Sequence, residues 1–438
     1  MNVLSSVETP FLRTEIPGPF SKRILEKQRE METATVVYPN AFPIAIKRAE
    51  GSIIEDVDGN RFIDWVSGIS VLNLGYSEII REAIRMQLEN VWHTLEIPTE
   101  ARVQFMDTLR QSFPSGMRDY KVMFGISGGD ACETAINIAH AVHGGSASTI
   151  AFEGAYHGVA GGIVSATAGT KYRRTSYTQG FNIIRIPYPY KMWYDYDIED
   201  IIAIMRKIMV DPEAGYVRPD SLIVEPVLGE GGYIVPPEGF LKAIREFCDE
   251  FDLTMIVDEV QSGLGRTGKM WAFEWENIKP DIVCISKSIG GGVPVSVIYY
   301  RKDYDSKLMS PFHLGTFRAN SLALAAGTVV LNEIPKYMDR VQKDGRRLVE
   351  KIRSIETDFI GEVRGKGFMV GVELVRDGKP MDQKEVANLK LNLLRNGVLM
   401  HTCGHYSNVF RFMGALNIPD KLLDKGQEIF AKVIEEVK

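Results

Sequence analysis

Between residues 75 and 325 short apolar runs alternate with stretches of helical period, and few folds can absorb that alternation. The runs fall at residues 149–152, 222–224, 255–257, 282–285 and 295–299, and helix-like stretches at 132–142, 198–210 and 239–251 are interspersed with them. Strands that are apolar at nearly every position bury both faces, which is how parallel strands read when helices cover a sheet on both sides. The expectation is an α/β domain whose mostly parallel sheet is sandwiched by helices.

The flanking segments read differently. Residues 1–74 contain the Pro-bearing TEIPGPF, then a helix over 21–33, then short strands hinged on Asp58-Gly59 between Ile53-Ile54 and Phe62-Ile63. Residues 329–438 return to helix, pass through strands in EVRGKGFMVGVELV, and close with a helix over 422–437. The expected division is therefore 1–74, 75–328 and 329–438, with the last an α+β domain. The aromatic PYPYKMWYDYD around Tyr188 to Asp197 reads as a packed surface loop, and no internal repeat or low-complexity segment is present.

Charge removes several classes of partner. Lysine and arginine total 51 against 57 acids, a net charge of -6 without a block of one sign, so no basic footprint for nucleic acid exists. Cys132, Cys248, Cys284 and Cys403 are far apart and share no ligand spacing with histidine, so neither a metal site nor a disulfide framework is expected. The opening MNVLSSVETPFLRTEIPG lacks a basic stretch followed by an apolar one, and no run approaches the roughly 20 apolar residues of a membrane span. A cytoplasmic protein with reduced thiols, no export and no membrane contact is expected.

Two strand ends and one helix start carry groups that could do chemistry. In MIVDEVQSGLGRTG a buried-looking strand ends at Asp258, where ligands of open parallel sheets gather, although the same acid could simply cap a turn. Residues 282–285 run into Ser286-Lys287-Ser288 and Gly290-Gly291-Gly292, so Lys287 has little side-chain cover around it. Desolvation there would lower a lysine toward the range of a Schiff-base amine, whereas an isolated lysine is ordinarily a solvated surface group. Together, Asp258 could keep a pyridinium nitrogen protonated while Lys287 carries an aldehyde. Ile126-Ser127-Gly128-Gly129-Asp130 leads into an amphipathic helix, where bare backbone N–H groups would face an anion such as phosphate, or form a plain turn.

With those residues in place, the sequence resembles the class III aminotransferases, a branch of the fold type I pyridoxal-phosphate enzymes. The resemblance rests on Asp258-Glu259-Val260-Gln261 followed by GLGRTG, on Lys287 in SKSIGGG, and on EPVLGEGG from Glu225 to Gly232. It extends from about Phe42 to the C-terminus through EDVDGNRFIDWVSGI, SGGDACETA, AYHG, HLGTF and NVFRFMGAL, in that order. The resemblance implies a large domain binding pyridoxal 5'-phosphate and a small α+β domain built from both termini. It implies that Lys287 anchors the cofactor and shuttles a proton, and that Asp258 pairs with the ring nitrogen. Val260 and Tyr156 would cover the two ring faces, Gln261 would reach the ring hydroxyl, and Gly128 and Gly129 would hold the phosphate. Glu225 would sit near the ring, and His157 either borders the cofactor or shapes its turn. Thr316 would contact the phosphate of a neighbouring subunit, making the active unit a homodimer or a tetramer with shared sites. Arg411 would fork onto the substrate α-carboxylate, with Glu230 as its alternative partner, and Ile69 and Arg318 would border the substrate.

Departures from the usual pattern bear on substrate. Val159 stands where an arginine commonly clamps a second carboxylate, Gly75-Tyr76-Ser77-Glu78-Ile79 replaces a GHxHP motif, Leu228 a glutamine, and Gly414-Ala415 a proline pair. Conversely, Thr316-Phe317-Arg318-Ala319-Asn320 and Asp130 resemble diaminobutyrate-type members, which favours a donor with a terminal amine and a 2-oxo acid acceptor. PGPFSKRILEK and IKRAEGSIIEDVDGN resemble archaeal members, some of which racemise amino acids, so racemisation competes with transamination. A scaffold that kept the fold and lost activity is the non-enzymatic alternative.

Overall fold

The computed structural model describes the chain apart from residues 1–3, 5–7, 146, 175–179, 191, 193 and 438. The chain divides into two compact units, Met1–Glu78 with Asp339–Lys438, and Ile79–Met338. Among the described residues no helix is long and apolar enough to cross a membrane.

The Ile79–Met338 unit is built on a seven-stranded sheet in the order Lys121–Gly125, Ser296–Tyr300, Ile282–Ile285, Thr254–Asp258, Pro219–Val224, Ser148–Phe152, Asn182–Ile186. Among the described strands only Ser296–Tyr300 runs against its neighbours, so the sheet is mostly parallel, as the α/β reading expected. The central strands are buried along their whole length, which explains why they read as unbroken apolar runs rather than as alternation. The Gly128–Val142 helix lies on the sheet through Ala131, Cys132, Ala135, Ile136 and Ala139, which meet Ile223, Ile256, Ile282 and Ile298 in one apolar cluster. Alanines one turn apart let helix and strands approach closely, and each fully buried isoleucine contributes ~1.5–3 kcal/mol. Phe240–Phe251 shows the same logic: Phe240, Ile244 and Phe247 share its buried face, between Gly239 and Asp252 in left-handed conformations.

In the Met1–Glu78 and Asp339–Lys438 unit a four-stranded sheet, Ile46–Glu50, Ile53–Asp56, Arg61–Asp64 and Val398–Leu399, accompanies a larger one containing Ile360–Lys366, Met369–Arg376, Val409–Phe412 and His401–Cys403. The Asp58-Gly59 turn pairs Ile54 with Phe62, as the sequence suggested, and Asp56 Oδ1 accepts the Asp58 and Asn60 N–H groups inside it. The first and last helices settle at Pro19–Met31 and Asp420–Glu435. The aromatic segment departs from a surface loop at its start, because Tyr188 and Tyr190 are buried, while its Lys191 and Trp193 lie outside the described residues.

Two features position the strand ends that carry chemistry. The Lys287–Gly290 turn lies against the Ser321–Glu333 helix at Gly327, where an added Cβ would overlap the Ile289 carbonyl oxygen and the Phe105 ring. After Asp258, the buried Glu259 closes the Gly-rich turn by accepting from the Ser262 hydroxyl at 2.7 Å and the Phe273 N–H at 2.9 Å. Burial pushes the Glu259 carboxyl up to about 8, against the pull of those donors.

Gly327→Ala is expected to destabilise the protein by about 1–3 kcal/mol in denaturant unfolding, and a variant as stable as the parent would show that the helix can step away from Ile289. Because the folded value for Glu259 lies above the ordinary 4.5, its contribution to stability is complete below that pH and is lost as pH rises through about 8. The thermal midpoint should therefore fall across that window, and Glu259→Gln should flatten the slope; an equal slope in the variant would assign the effect to other groups.

Candidate active site

The carboxyl ends of four neighbouring strands and the mouth of one helix surround a cavity of about 330 Å³. Gly128, Gly129, Tyr156, His157, Glu225, Glu230, Asp258, Val260, Gln261 and Lys287 all line it, so ten of the residues singled out in the sequence meet in one place. Ser127, Gly158, Val159 and Ala160 complete the wall. This convergence follows from strand order, since parallel neighbours end on the same edge of the sheet.

Asp258, the last residue of Thr254–Asp258, is buried and hydrogen bonded from three sides. Its Oδ2 accepts from His157 Nδ1 at 2.7 Å and from the Cys132 thiol at 3.3 Å, and its Oδ1 accepts the Val260 N–H at 3.0 Å. These ligand-type atoms lie within 4.8 Å of one another, and the hydrogen bonds already join them. His157 is fixed further by its own N–H to Thr167 Oγ1 at 3.0 Å, and that hydroxyl donates to the Gly158 carbonyl. His157 Nε2 is buried and has no hydrogen-bond partner among the described residues; the same holds for Gln261 Oε1.

Glu225, just past Pro219–Val224, is a second buried carboxyl. It accepts the Tyr156 N–H at 2.8 Å and the Gly229 N–H at 2.9 Å, and so ties two wall segments together. Burial pushes it well above the usual carboxylate range; the His157 ring opposes that rise and Asp258 adds to it. Tyr188 donates its hydroxyl to the Glu225 carbonyl at 3.3 Å, which draws the aromatic segment into the framework of the site. Lys287 follows Ile282–Ile285 with φ of 41°, a left-handed conformation that costs a lysine about 1 kcal/mol or more and is seen at functional sites.

At the helix mouth Ser127 caps Gly128–Val142 by accepting the Asp130 N–H, and the Gly128 and Gly129 N–H groups precede the first helical bond. The glycines are required by space: a Cβ on Gly128 would come within 2.8 Å of Val260 Cγ1, and one on Gly158 within 2.6 Å of the Gly129 Cα. An anion is stabilised by such a mouth through N–H donors and helix dipole together. A planar, anionic, phosphorylated ring fits these features, with N–H groups at one end, a buried carboxylate at the other, and unpaired polar atoms of Gln261 and His157 between.

Thr316 and Arg318 belong to the same unit but do not line the cavity. Thr316 is exposed, and its carbonyl meets His93 Nε2 at 2.7 Å. Arg318 lies 2.9 Å from His313 Nδ1 and 3.6 Å from Asp130, which spends its guanidinium on the helix start rather than on the cavity. Ile69 and Arg411 belong to the other unit. Ile69 sits in a run of positive φ from Ser67 to Ser70, and Arg411 is buried on Val409–Phe412 opposite Gly371 and His401.

Two participants escaped the sequence reading. Cys132 was seen only as a helix-starting residue, although its place one turn beyond Gly128 on one helical face was a usable signal. Tyr172 donates to Glu230 Oε2 at 3.4 Å and packs edge-on against Tyr156, a contact that no local pattern announces.

Known proteins place this chain firmly. Residues 35–434 match the model of the family described as aminotransferase class-III. The diaminobutyrate–2-oxoglutarate aminotransferase of Rhizobium meliloti is 36% identical, covering 94% of this chain and 92% of that protein. The 4-aminobutyrate aminotransferase of Mycobacterium tuberculosis is 33% identical over 97% and 98%, and the alanine/serine racemase of Pyrococcus horikoshii 30% over 98% and 94%. Among solved structures, an ornithine aminotransferase from Toxoplasma gondii, with pyridoxal phosphate at its active site, superposes with a TM-score of 0.83 at 25% identity over 95% of this chain and 94% of that one. With the family matched over nearly the whole chain and the fold shared, this protein belongs to the class III aminotransferases and is a pyridoxal-phosphate-dependent transaminase.

Proposed function

We propose that this enzyme moves an amino group from a donor with a terminal amine, of the 4-aminobutyrate or diaminobutyrate kind, to a 2-oxo acid such as 2-oxoglutarate, in two alternating half-reactions. The observation that carries the reading is the meeting of Asp258, Lys287 and the Gly128–Gly129 helix mouth in one cavity. The names of the relatives from Rhizobium meliloti and Mycobacterium tuberculosis support the substrate class.

Pyridoxal 5'-phosphate, when bound, supplies a carbonyl that captures amines and a ring that spreads negative charge from the reacting carbon. Gly128 and Gly129 would hold the phosphate through their N–H groups, with Val260 and Tyr156 as the apolar and aromatic side chains beside the ring. Asp258 would pair with the ring nitrogen through a buried carboxylate acting in a low dielectric. Gln261, whose Oε1 is unpaired among the described residues, would meet the ring hydroxyl. Lys287 would be the amine that holds the cofactor and the general acid–base that accepts and returns the substrate proton. The family resemblance assigns Arg411 to an α-carboxylate, Glu230 to substrates that lack one, and Ile69 to the substrate. Arg318, engaged by Asp130 and His313, supports the helix mouth and reaches substrate only by leaving them.

The working unit in this reading is a homodimer in a cytoplasmic setting. Exposed Trp92, Leu95, Ile97, Leu314 and Phe317 offer apolar surface around Thr316, which would then serve the phosphate of the second copy. The four cysteines are buried thiols, as suits a reducing compartment.

Racemisation stays in view because the Pyrococcus horikoshii relative carries that name. The two readings separate when the holoenzyme is mixed with amines and amino acids and no keto acid. Transamination predicts loss of the visible cofactor band with a terminal-amine donor and its return with 2-oxoglutarate. A band that persists while an optically pure amino acid loses its rotation would replace this reading with the racemase. Lys287→Ala is expected to lower turnover by about three orders of magnitude in a folded protein. Turnover within tenfold of the parent would remove Lys287 from its assigned role.

A further inference from the structure

We propose that the Cys132 thiol is a positioning residue for Asp258: with His157 it fills both acceptor sites of Oδ2, leaving Oδ1 as the oxygen that meets the ring nitrogen of pyridoxal 5'-phosphate. The inference rests on the function proposed above and deepens it. A carboxylate oxygen offers about two acceptor positions. On Oδ2 they are taken by His157 Nδ1 at 2.7 Å and Cys132 Sγ at 3.3 Å, whereas among the described residues Oδ1 receives only the Val260 N–H at 3.0 Å. Cys132 is wholly buried, with Asp258 and His157 at 4% and 2% exposure, so these hydrogen bonds are shielded from bulk solvent.

The thiol is a donor here rather than a nucleophile. Burial pushes its ionisation well up, and the neighbouring Cys284 and Asp258 push it further, so the S–H proton is kept. Cys132 stands four residues after Gly128 on Gly128–Val142, roughly 6 Å along the axis. One rigid helix thereby offers N–H groups at its mouth and, one turn later, holds the carboxylate at the far end of the ring site. The two ends of the cofactor seat are set by the same element.

Cofactor binding to the apo-protein tests this, using pyridoxal 5'-phosphate as the probe and absorbance to follow it. A second readout is the ring-nitrogen resonance of 15N-labelled cofactor, which reports the hydrogen bond at that atom and is insensitive to general loss of packing. Cys132→Val, close in shape and without a donor, and Cys132→Ala are expected to raise Kd about five- to twentyfold and to move the resonance. Cys132→Ser restores a donor on a shorter bond and is expected to recover part of both. Cys248→Ala is the packing control: it removes a buried thiol on the Phe240–Phe251 helix, outside the cavity wall, and should leave Kd within twofold of the parent. Parent-like Kd and resonance in Cys132→Val, or equal losses in the serine and valine variants, would overturn the assignment. If the parent itself takes up no pyridoxal 5'-phosphate, the function above fails and this inference falls with it.

Discussion

A carboxylate at the end of a strand buried on both faces has to be answered by hydrogen bonds, because an unpaired charge there would cost several kcal/mol. Asp258 is that carboxylate, and its three donors come from three different pieces of chain. Cys132 belongs to the helix on the sheet, His157 to the loop after Ser148–Phe152, and the Val260 N–H to the turn that follows the strand itself. Satisfying one buried charge thus locates a helix, a loop and a Gly-rich turn against each other. The cavity is the space those three leave.

Glu225 repeats the device next door with neutralising backbone donors. Its two oxygens take the N–H groups of Tyr156 and Gly229, so the segment that carries the aromatic wall and the segment that carries Glu230 share one anchor. Both carboxyls line one cavity, and Asp258 adds to the upward push on Glu225. A buried acid pushed upward and held by backbone donors, as Glu225 is, suits a site that handles protons. The Lys287 turn, backed by the Ser321–Glu333 helix at Gly327, brings the amine to the same wall in a left-handed conformation.

Much of this was legible beforehand, and unevenly so. The runs at 282–285 and 198–210 coincide with Ile282–Ile285 and Ile198–Val210, because burial on both faces and an Asp197 capping box leave clear marks at their ends. Asp258, Lys287 and Gly128 could be picked out since each sits where a strand stops or a helix starts. The aromatic stretch misled because composition does not tell which face of a loop is covered, and Tyr188 turns inward to the Glu225 carbonyl. Arg318 was legible as a charge near Thr316, but its partners Asp130 and His313 depend on a fold-back that no spacing reveals.

The sequence by itself determined the βα alternation, the residue types at the strand ends and the family, because each is written in local periodicity or in contiguous motifs. Tertiary structure decided which donors reach each oxygen of Asp258, that Cys132 and Tyr172 belong to the site's framework, and that Thr316 and Arg318 lie off the cavity wall. Those outcomes turn on distances of an ångström between residues 58 positions apart for Tyr172 and Glu230 and 126 apart for Cys132 and Asp258. Only the packing of buried side chains sets such distances, since the energies that choose among them exist only once the chain has folded.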